Sequence, residues 1–259
     1  MSAAPTDSGG LLVVTAHPDD EVLIAGGTLA ACAEAGHPTA VVCLTRGDQG
    51  PISDPALATP ETLGRVRAAE LEAACAELGV DWVKCYRRED GNLRWSDGTA
   101  IARQLEAIIR ARQPAAVITF GEDGLYYHPD HIAAYRFTRR ALRRLEQPPE
   151  LYRSAWPPDL MTQLVSELEQ RGLPTELWDM APEDFGSEDE DGCFSLDVRR
   201  FAERKLRALR AHRTQLSDEH AMAGIEPDLA ERFLGVEWFA AVDVGAQGHG
   251  WLQALLTDG

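Results

Sequence analysis

The stretch LLVVTAHPDDEVLIAGGTLAACAEAG, Leu11 to Gly36, decides how the rest of the chain is read. It opens with LLVVTA, a continuous apolar run of strand length, and closes with EVLIAGGTLAACAEAG, a helix pattern ending at Gly36. Between them stand His17, Pro18, Asp19, Asp20 and Glu21. A buried strand seldom runs straight into a histidine and three acids, because neighbouring carboxylates repel one another and need something to hold them.

The strand–helix alternation continues downstream. TAVVCLT (39–45) reads as a second buried strand, ETLGRVRAAELEAACAELG (61–79) as a helix, and VDWVKCY (80–86) as a third strand. TAIARQLEAIIRARQ (99–113) places Ile101, Leu105, Ile108 and Ile109 on one helix face, and Pro114 breaks it before the strand AAVITF (115–120). Apolar strands alternating with helices of this length predict a parallel sheet covered on both faces. The expected fold class is α/β, with a doubly wound, mostly parallel, Rossmann-like sheet and an irregular C-terminal extension. One domain is expected over residues 1–259, with a core over about 10–155 and an extension over about 156–259 that shapes the substrate cleft. In the extension, PPDLMTQLVSELEQRG (157–172) reads as a short helix and PEDFGSEDEDG (182–192) as an acidic, solvated loop. SLDVRRFAERKLRALRAHRTQ (195–215) reads as a basic helix and VEWFAAVDV (236–244) as a late strand. The arginines at 136, 139, 140, 143 and 144 share a broad helix face and are expected to pair with the protein's own carboxylates.

Composition narrows the function classes. A net charge of −17 over 259 residues argues against sequence-independent nucleic-acid binding and against docking on anionic membranes. No run approaches the ~20 apolar residues that span a bilayer. MSAAPTDSGG has neither a basic nor an apolar signal region and reads as a short frayed tail. The five cysteines are widely spaced and without a CxxC pair, which predicts reduced thiols in a cytoplasmic protein.

The chemistry gathers where strands end. After the first strand comes His17-Pro18-Asp19-Asp20-Glu21, after the second TRGDQG (45–50), and after AAVITF comes GEDGLYYHPDH (121–131). In a doubly wound sheet, ligands bind outside the carboxyl ends of the strands, so two His-Pro-Asp segments can meet at one rim. His, Asp and His form a common ligand set for catalytic zinc with one position left open. His17 and Asp20 lie three apart across a turn begun by Pro18. His128 and His131 are also three apart at a helix start, and either could be a ligand. A single such segment is more often a helix N-cap, with Asp19 or Asp20 capping the adjoining helix. Two of them at sites the fold can make neighbours favour a metal.

At these residues the chain resembles the LmbE-like or PIG-L-like family of zinc-dependent N-deacetylases acting on N-acetylglucosamine (GlcNAc) conjugates. The resemblance rests on AHPDDE at 16–21, TRGDQG at 45–50, Arg67 with Glu70, the HPDH at 128–131, and LRALRAHRTQ at 206–215. It implies His17, Asp20 and His131 as metal ligands, Asp19 as general base, and His128 as the group that steadies the oxyanion or protonates the leaving amine. Asp130 would orient an imidazole, Tyr126 would sit near the oxyanion with Tyr127 as its rival, and Arg67 would grip substrate. Glu21 is read as a charge at the helix start. The cofactor implied is Zn2+, with Fe2+ or Co2+ accepted by the same donors. The activity implied is hydrolysis of the N-acetyl amide of a small GlcNAc conjugate, in mycothiol or bacillithiol metabolism. A thiol-conjugate amidase or a catalytically silent sugar- or metal-binding homologue are the alternatives. The expected partner is that small molecule, with no nucleic acid and no membrane, and homo-oligomerisation is common in the family.

Overall fold

The computed structural model describes residues 9–177, 180–187, 192–248 and 250–255; of the expected tail MSAAPTDSGG, residues 1–8 lie outside them and Gly10 instead begins the first strand, and the acidic residues 188–191 also lie outside them. β1 (Gly10–Thr15) and β2 (Thr39–Thr45) are buried at every position, as continuous apolar runs in a sheet covered on both faces should be. α1 (Asp20–Glu34), α2 (Pro60–Leu78) and α3 (Gly98–Arg112) alternate with β3 (Trp82–Arg88) and β4 (Pro114–Thr119). A distorted turn, α4 (Gly124–Tyr127), precedes α5 (Pro129–Leu142) and β5 (Glu150–Ser154). α6 (Leu160–Gln170), β6 (Cys193–Asp197), α7 (Ala202–Arg210) and β7 (Val236–Val242) complete the main elements.

The strands form one sheet of seven in the order β3-β2-β1-β4-β5-β7-β6. The first five run parallel, and β7 and β6 add antiparallel beyond β5. Chain order reverses between β1 and β4, so the crevice outside their carboxyl ends is the switch point where a doubly wound sheet binds ligands. Both His-Pro-Asp segments leave the sheet there. No helix among the described residues is long and apolar enough to cross a membrane.

One sequence expectation is corrected. SLD belongs to β6, paired with β7 from Cys193 opposite Ala240 to Asp197 opposite Val236, and the helix runs only over Ala202–Arg210. The alternation of Phe194 and Leu196 with Ser195 and Asp197 is a strand signal. It is short, and the basic helical period beginning after it masked it. Phe194 packs on Phe239 and Tyr152, with ring centroids 6.1 and 5.7 Å apart. On α5 and its C-terminal end, Arg139 pairs with Glu122 and Arg144 with Glu106, in line with the expectation for that face.

The C-terminal elements are bolted to α1 by a buried ion pair. α1 is kinked at Ala25 (φ −153°, ψ 16°), which leaves backbone donors without their helical partners. Glu237, on β7, accepts the N–H groups of Gly27 (2.7 Å) and Thr28 (2.9 Å) and the Thr28 hydroxyl (2.6 Å). Lys205, on α7, donates to the same carboxylate at 2.6 Å, and both side chains are almost fully buried. The helix–segment contact is close: a Cβ on Gly27 would lie 2.4 Å from Val198. Removing one member of a buried pair leaves an uncompensated charge. Lys205→Met is therefore expected to lower the free energy of unfolding by about 3–5 kcal/mol. Urea denaturation checks this, and a loss as small as that of an exposed pair, about 0–1 kcal/mol, would contradict the assignment.

Candidate metal centre at the β1–β4 crevice

His17, Asp20 and His131 converge outside β1 and β4. His17 Nδ1 and His131 Nε2 are 3.3 Å apart. Asp20 Oδ1 lies 3.3 Å from His131 Nε2, and Asp20 Oδ2 lies 3.5 Å from His17 Nδ1. Four-coordinate ligation with bonds of ~2.0–2.1 Å sets ligand atoms about 3.4 Å apart, so the His17–His131 and Asp20 Oδ1–His131 spacings are of the size a small divalent cation requires, while Asp20 faces His17 through its other oxygen. Nitrogens of His17, His128 and His131 also lie within 4.8 Å of one another. The remaining nitrogens support the same fit. His17 Nε2 is 3.0 Å from Asp90 Oδ1 and 3.5 Å from Asp130 Oδ2, while His131 Nδ1 is 3.1 Å from the Gly124 carbonyl. Each imidazole thus has an acceptor for its outer N–H, which fixes the tautomer that turns a lone pair toward the cation. The His131 ring also stacks on Phe120, with centroids 3.9 Å apart.

Local structure explains how the chain presents these groups. Asp19 is the N-cap of α1, but its side chain caps nothing. Its φ of 101° is uncommon for a non-glycine residue, and its carboxylate turns to Arg67, with Nη2 at 3.0 Å. Arg67 also donates to the Pro18 carbonyl and to the Gly47 carbonyl, both at 2.7 Å. Gly47 (φ +62°) makes room for it, since a Cβ there would lie 2.2 Å from Arg67 Nη1. Both terminal nitrogens of Arg67 are therefore committed to protein acceptors. Asp130 is fully buried and accepts the N–H groups of Gly91 (2.8 Å) and Leu93 (2.9 Å), so it holds the loop after β3 as well as facing His17. His128 is the N-cap of α5; its Nδ1 accepts the Asp130 N–H at 3.3 Å, which leaves the proton on Nε2. Tyr126 packs against His131 and His128, with centroids at 5.2 and 5.7 Å, whereas Tyr127 is 64% exposed. Leu125 and Tyr127 both have positive φ (67° and 59°), so backbone strain sits beside the site in α4 as it does at Asp19.

The electrostatics separate the two aspartates. Burial penalises charge on both. His131 and His17 nonetheless hold Asp20 well below the usual carboxylate range, whereas burial pushes Asp19 up to about 6 against the opposing pull of Arg67. Burial also lowers His128 to about 4 and raises Tyr126 well above the ordinary phenol value. Glu21 has a role the sequence reading missed. Besides standing at the helix start, it is fully buried, accepts the Asp19 N–H (3.0 Å) and pairs with His212 Nε2 (2.8 Å).

The cleft above these groups has a volume of about 310 Å³. Its lining includes polar Gln49, Arg67, Asp90 and Gln215 and apolar Leu23, Leu125, Trp156, Met180 and Phe185. His17, Asp19, Asp20, Tyr126, His128 and His131 all border the cleft, so the structure brings the expected site residues to one place, with Asp130 beneath them. Sequence reasoning passed over Asp90. Its signal was its place just after the third strand: the carboxyl end of every parallel strand can supply the site, with or without a recognisable motif.

A doubly wound sheet that gathers His17, Asp20 and His131 beside an aspartate held by Arg67 has the makings of a metal-dependent hydrolase. The family comparison agrees: residues 12–142 match the family described as PIG-L, GlcNAc-PI de-N-acetylase, and the chain belongs to that family. It is 32% identical to a 1D-myo-inositol 2-acetamido-2-deoxy-alpha-D-glucopyranoside deacetylase from Thermobispora bispora, over 96% of each chain. It is 37% identical to a deacetylase of the same name from Actinosynnema mirum, over 80% of this chain and 81% of that one. Its fold is similar to that of the N,N'-diacetylchitobiose deacetylase from Pyrococcus horikoshii, with a TM-score of 0.63 and 24% identity, covering 91% of this chain and 84% of that one.

Asp90→Ala leaves His17, Asp20 and His131 in place but removes the nearer of the two carboxylates that face His17 Nε2. It is expected to weaken metal affinity roughly 10- to 100-fold while preserving stoichiometry at saturation. Titration against a competing chelator measures this, and unchanged affinity would contradict the orienting role.

Proposed function

We propose that the protein is a metal-dependent N-deacetylase that hydrolyses the N-acetyl amide of a small GlcNAc glycoside to acetate and a free amine. The observation that carries this reading is the mutual spacing of His17 Nδ1, Asp20 and His131 Nε2 with Asp19 held beside them by a different partner, Arg67. The substrate class rests on the relatives, whose names specify the GlcNAc glycoside of inositol. That chemistry would place the enzyme in low-molecular-weight thiol metabolism.

His17, Asp20 and His131 would hold the ion, with zinc the best match to the donors and Fe2+ or Co2+ accepted. A bound divalent ion there supplies Lewis acidity, polarising a carbonyl and lowering the pKa of a water to ~7. The protein supplies the rest. Asp19, free of the ligand set, accepts a proton from the attacking water and passes it toward the amide nitrogen as that bond breaks. His128 carries its proton on Nε2 and donates a hydrogen bond to the developing oxyanion; Tyr126 borders the same part of the cleft. Asp90, Gln49 and Gln215 give the sugar hydroxyls acceptors and donors, while the apolar lining residues receive the acyl group. Arg67 serves mainly by keeping Asp19 in place.

A second reading is favoured by one feature. Leu23, Leu125, Trp156, Met180 and Phe185 form a larger apolar surface than one acetyl methyl needs, which suits the bulkier amide of a thiol S-conjugate. Incubation with GlcNAc-inositol, GlcNAc-malate and an S-conjugate separates the readings. We expect amine release from GlcNAc-inositol to dominate, to vanish on chelation and to return on adding zinc. Preferential cleavage of the S-conjugate would favour the amidase, and metal-independent turnover would contradict both. His128→Ala is expected to lower kcat by about 100- to 1,000-fold, as loss of one oxyanion donor does elsewhere, with KM little changed.

A further inference from the structure

In the C-terminal HRTQ segment, His212 has no part in the chemistry above, yet it reaches the catalytic rim from far along the chain. Asp19 sits at φ 101° and ψ −33°, a conformation that L-residues rarely adopt and that persists only where its surroundings fix it. The peptide between Pro18 and Asp19 is clamped at both polar atoms. Arg67 Nη2 donates to the Pro18 carbonyl (2.7 Å), and Glu21 Oε2 accepts the Asp19 N–H (3.0 Å). Glu21 is held in turn by His212 Nε2 at 2.8 Å, and both side chains are fully buried. His212 Nδ1 has no hydrogen-bond partner among the described residues, which leaves Nε2 as the nitrogen that bears the proton and donates it to Glu21.

We propose that His212 is a positioning residue: acting through Glu21, it holds the Pro18–Asp19 peptide in its strained conformation and so aims the Asp19 carboxylate. Attachment of the segment does not need His212. Glu70 already accepts the Thr214 N–H (2.9 Å) and hydroxyl (2.6 Å), Gln215 donates to the Pro51 carbonyl (3.0 Å), and Lys205 pairs with Glu237. Glu70 stands one turn beyond Arg67 on α2, so the same segment braces the helix that carries the other half of the clamp. The inference rests on the reading of Asp19 as the base.

The test compares His212→Gln, whose amide nitrogen reaches about as far as Nε2, with His212→Asn, which is one methylene too short. Metal content, thermal midpoint, and kcat and KM for amine release from GlcNAc-inositol are measured for both. His212→Asn is expected to bind metal in full and to keep its KM while losing kcat roughly 100-fold; His212→Gln is expected to stay within roughly tenfold of wild type. In an Asp19→Ala background, His212→Asn is expected to cause no further loss, because the group it positions is gone. Equal losses in the Gln and Asn variants, or a full additional loss in the Asp19→Ala background, would overturn the proposal. Should His212→Asn fail to fold, Glu21→Gln takes its place. The two N–H donors meet different oxygens of Glu21, and an amide keeps an acceptor at only one of those positions, so kcat is expected to fall with KM held, and an unchanged kcat would overturn the proposal. An Asp19→Ala enzyme with wild-type kcat is a separate result: it removes Asp19 as base and the proposal with it.

Discussion

The structure depends on how five carboxylates are kept close together at one crevice. Asp19, Asp20, Glu21, Asp90 and Asp130 all stand at or beneath the β1–β4 rim, where low solvent exposure makes mutual repulsion costly. Each has its own answer. Asp130 takes two backbone N–H groups, Asp90 takes the Gln49 N–H and His17, Glu21 takes His212 and the Asp19 N–H, and Asp19 takes Arg67. Asp20 accepts the His17 N–H at Oδ2 and otherwise faces only the imidazoles of His17 and His131. Asp20 alone of the five turns each of its oxygens to an imidazole, Oδ1 to His131 and Oδ2 to His17.

The same arrangement ties the end of the chain to its beginning. Glu237 on β7 supplies the acceptors that the kink in α1 left without partners, and Lys205 on α7 neutralises it. α1 starts at Asp20, so whatever fixes α1 also fixes a candidate ligand and the residue before it. The HRTQ segment adds a second attachment at Glu21 and a third through Glu70 on α2. The chain beyond β5 thereby helps set the geometry of the rim.

Much of this was legible in the residues. The strands TAVVCLT and AAVITF, the helix ending at Gly36 and the convergence of the two His-Pro-Asp segments come from apolar periodicity and from the rule that ligands gather at strand ends. Contact between residues far apart in sequence was not legible. Nothing near Glu21 announces a histidine 191 positions away, and nothing near Gly27 announces Glu237. Asp90 lacks a motif, and β6 is a five-residue strand beside a strong helical signal. The resemblance pointed to Tyr126 with Tyr127 as its rival; packing separates a ring lining the cleft from one in solvent.

The central claim is that adjacent aspartates do different work, Asp20 holding the ion and Asp19 moving the proton. The most direct test measures metal content and GlcNAc-inositol deacetylation on the same preparations of Asp19→Ala and Asp20→Ala. The account predicts that Asp19→Ala keeps its metal and loses turnover, while Asp20→Ala loses both. Equal loss of metal in the two variants, or turnover retained without Asp19, would contradict it.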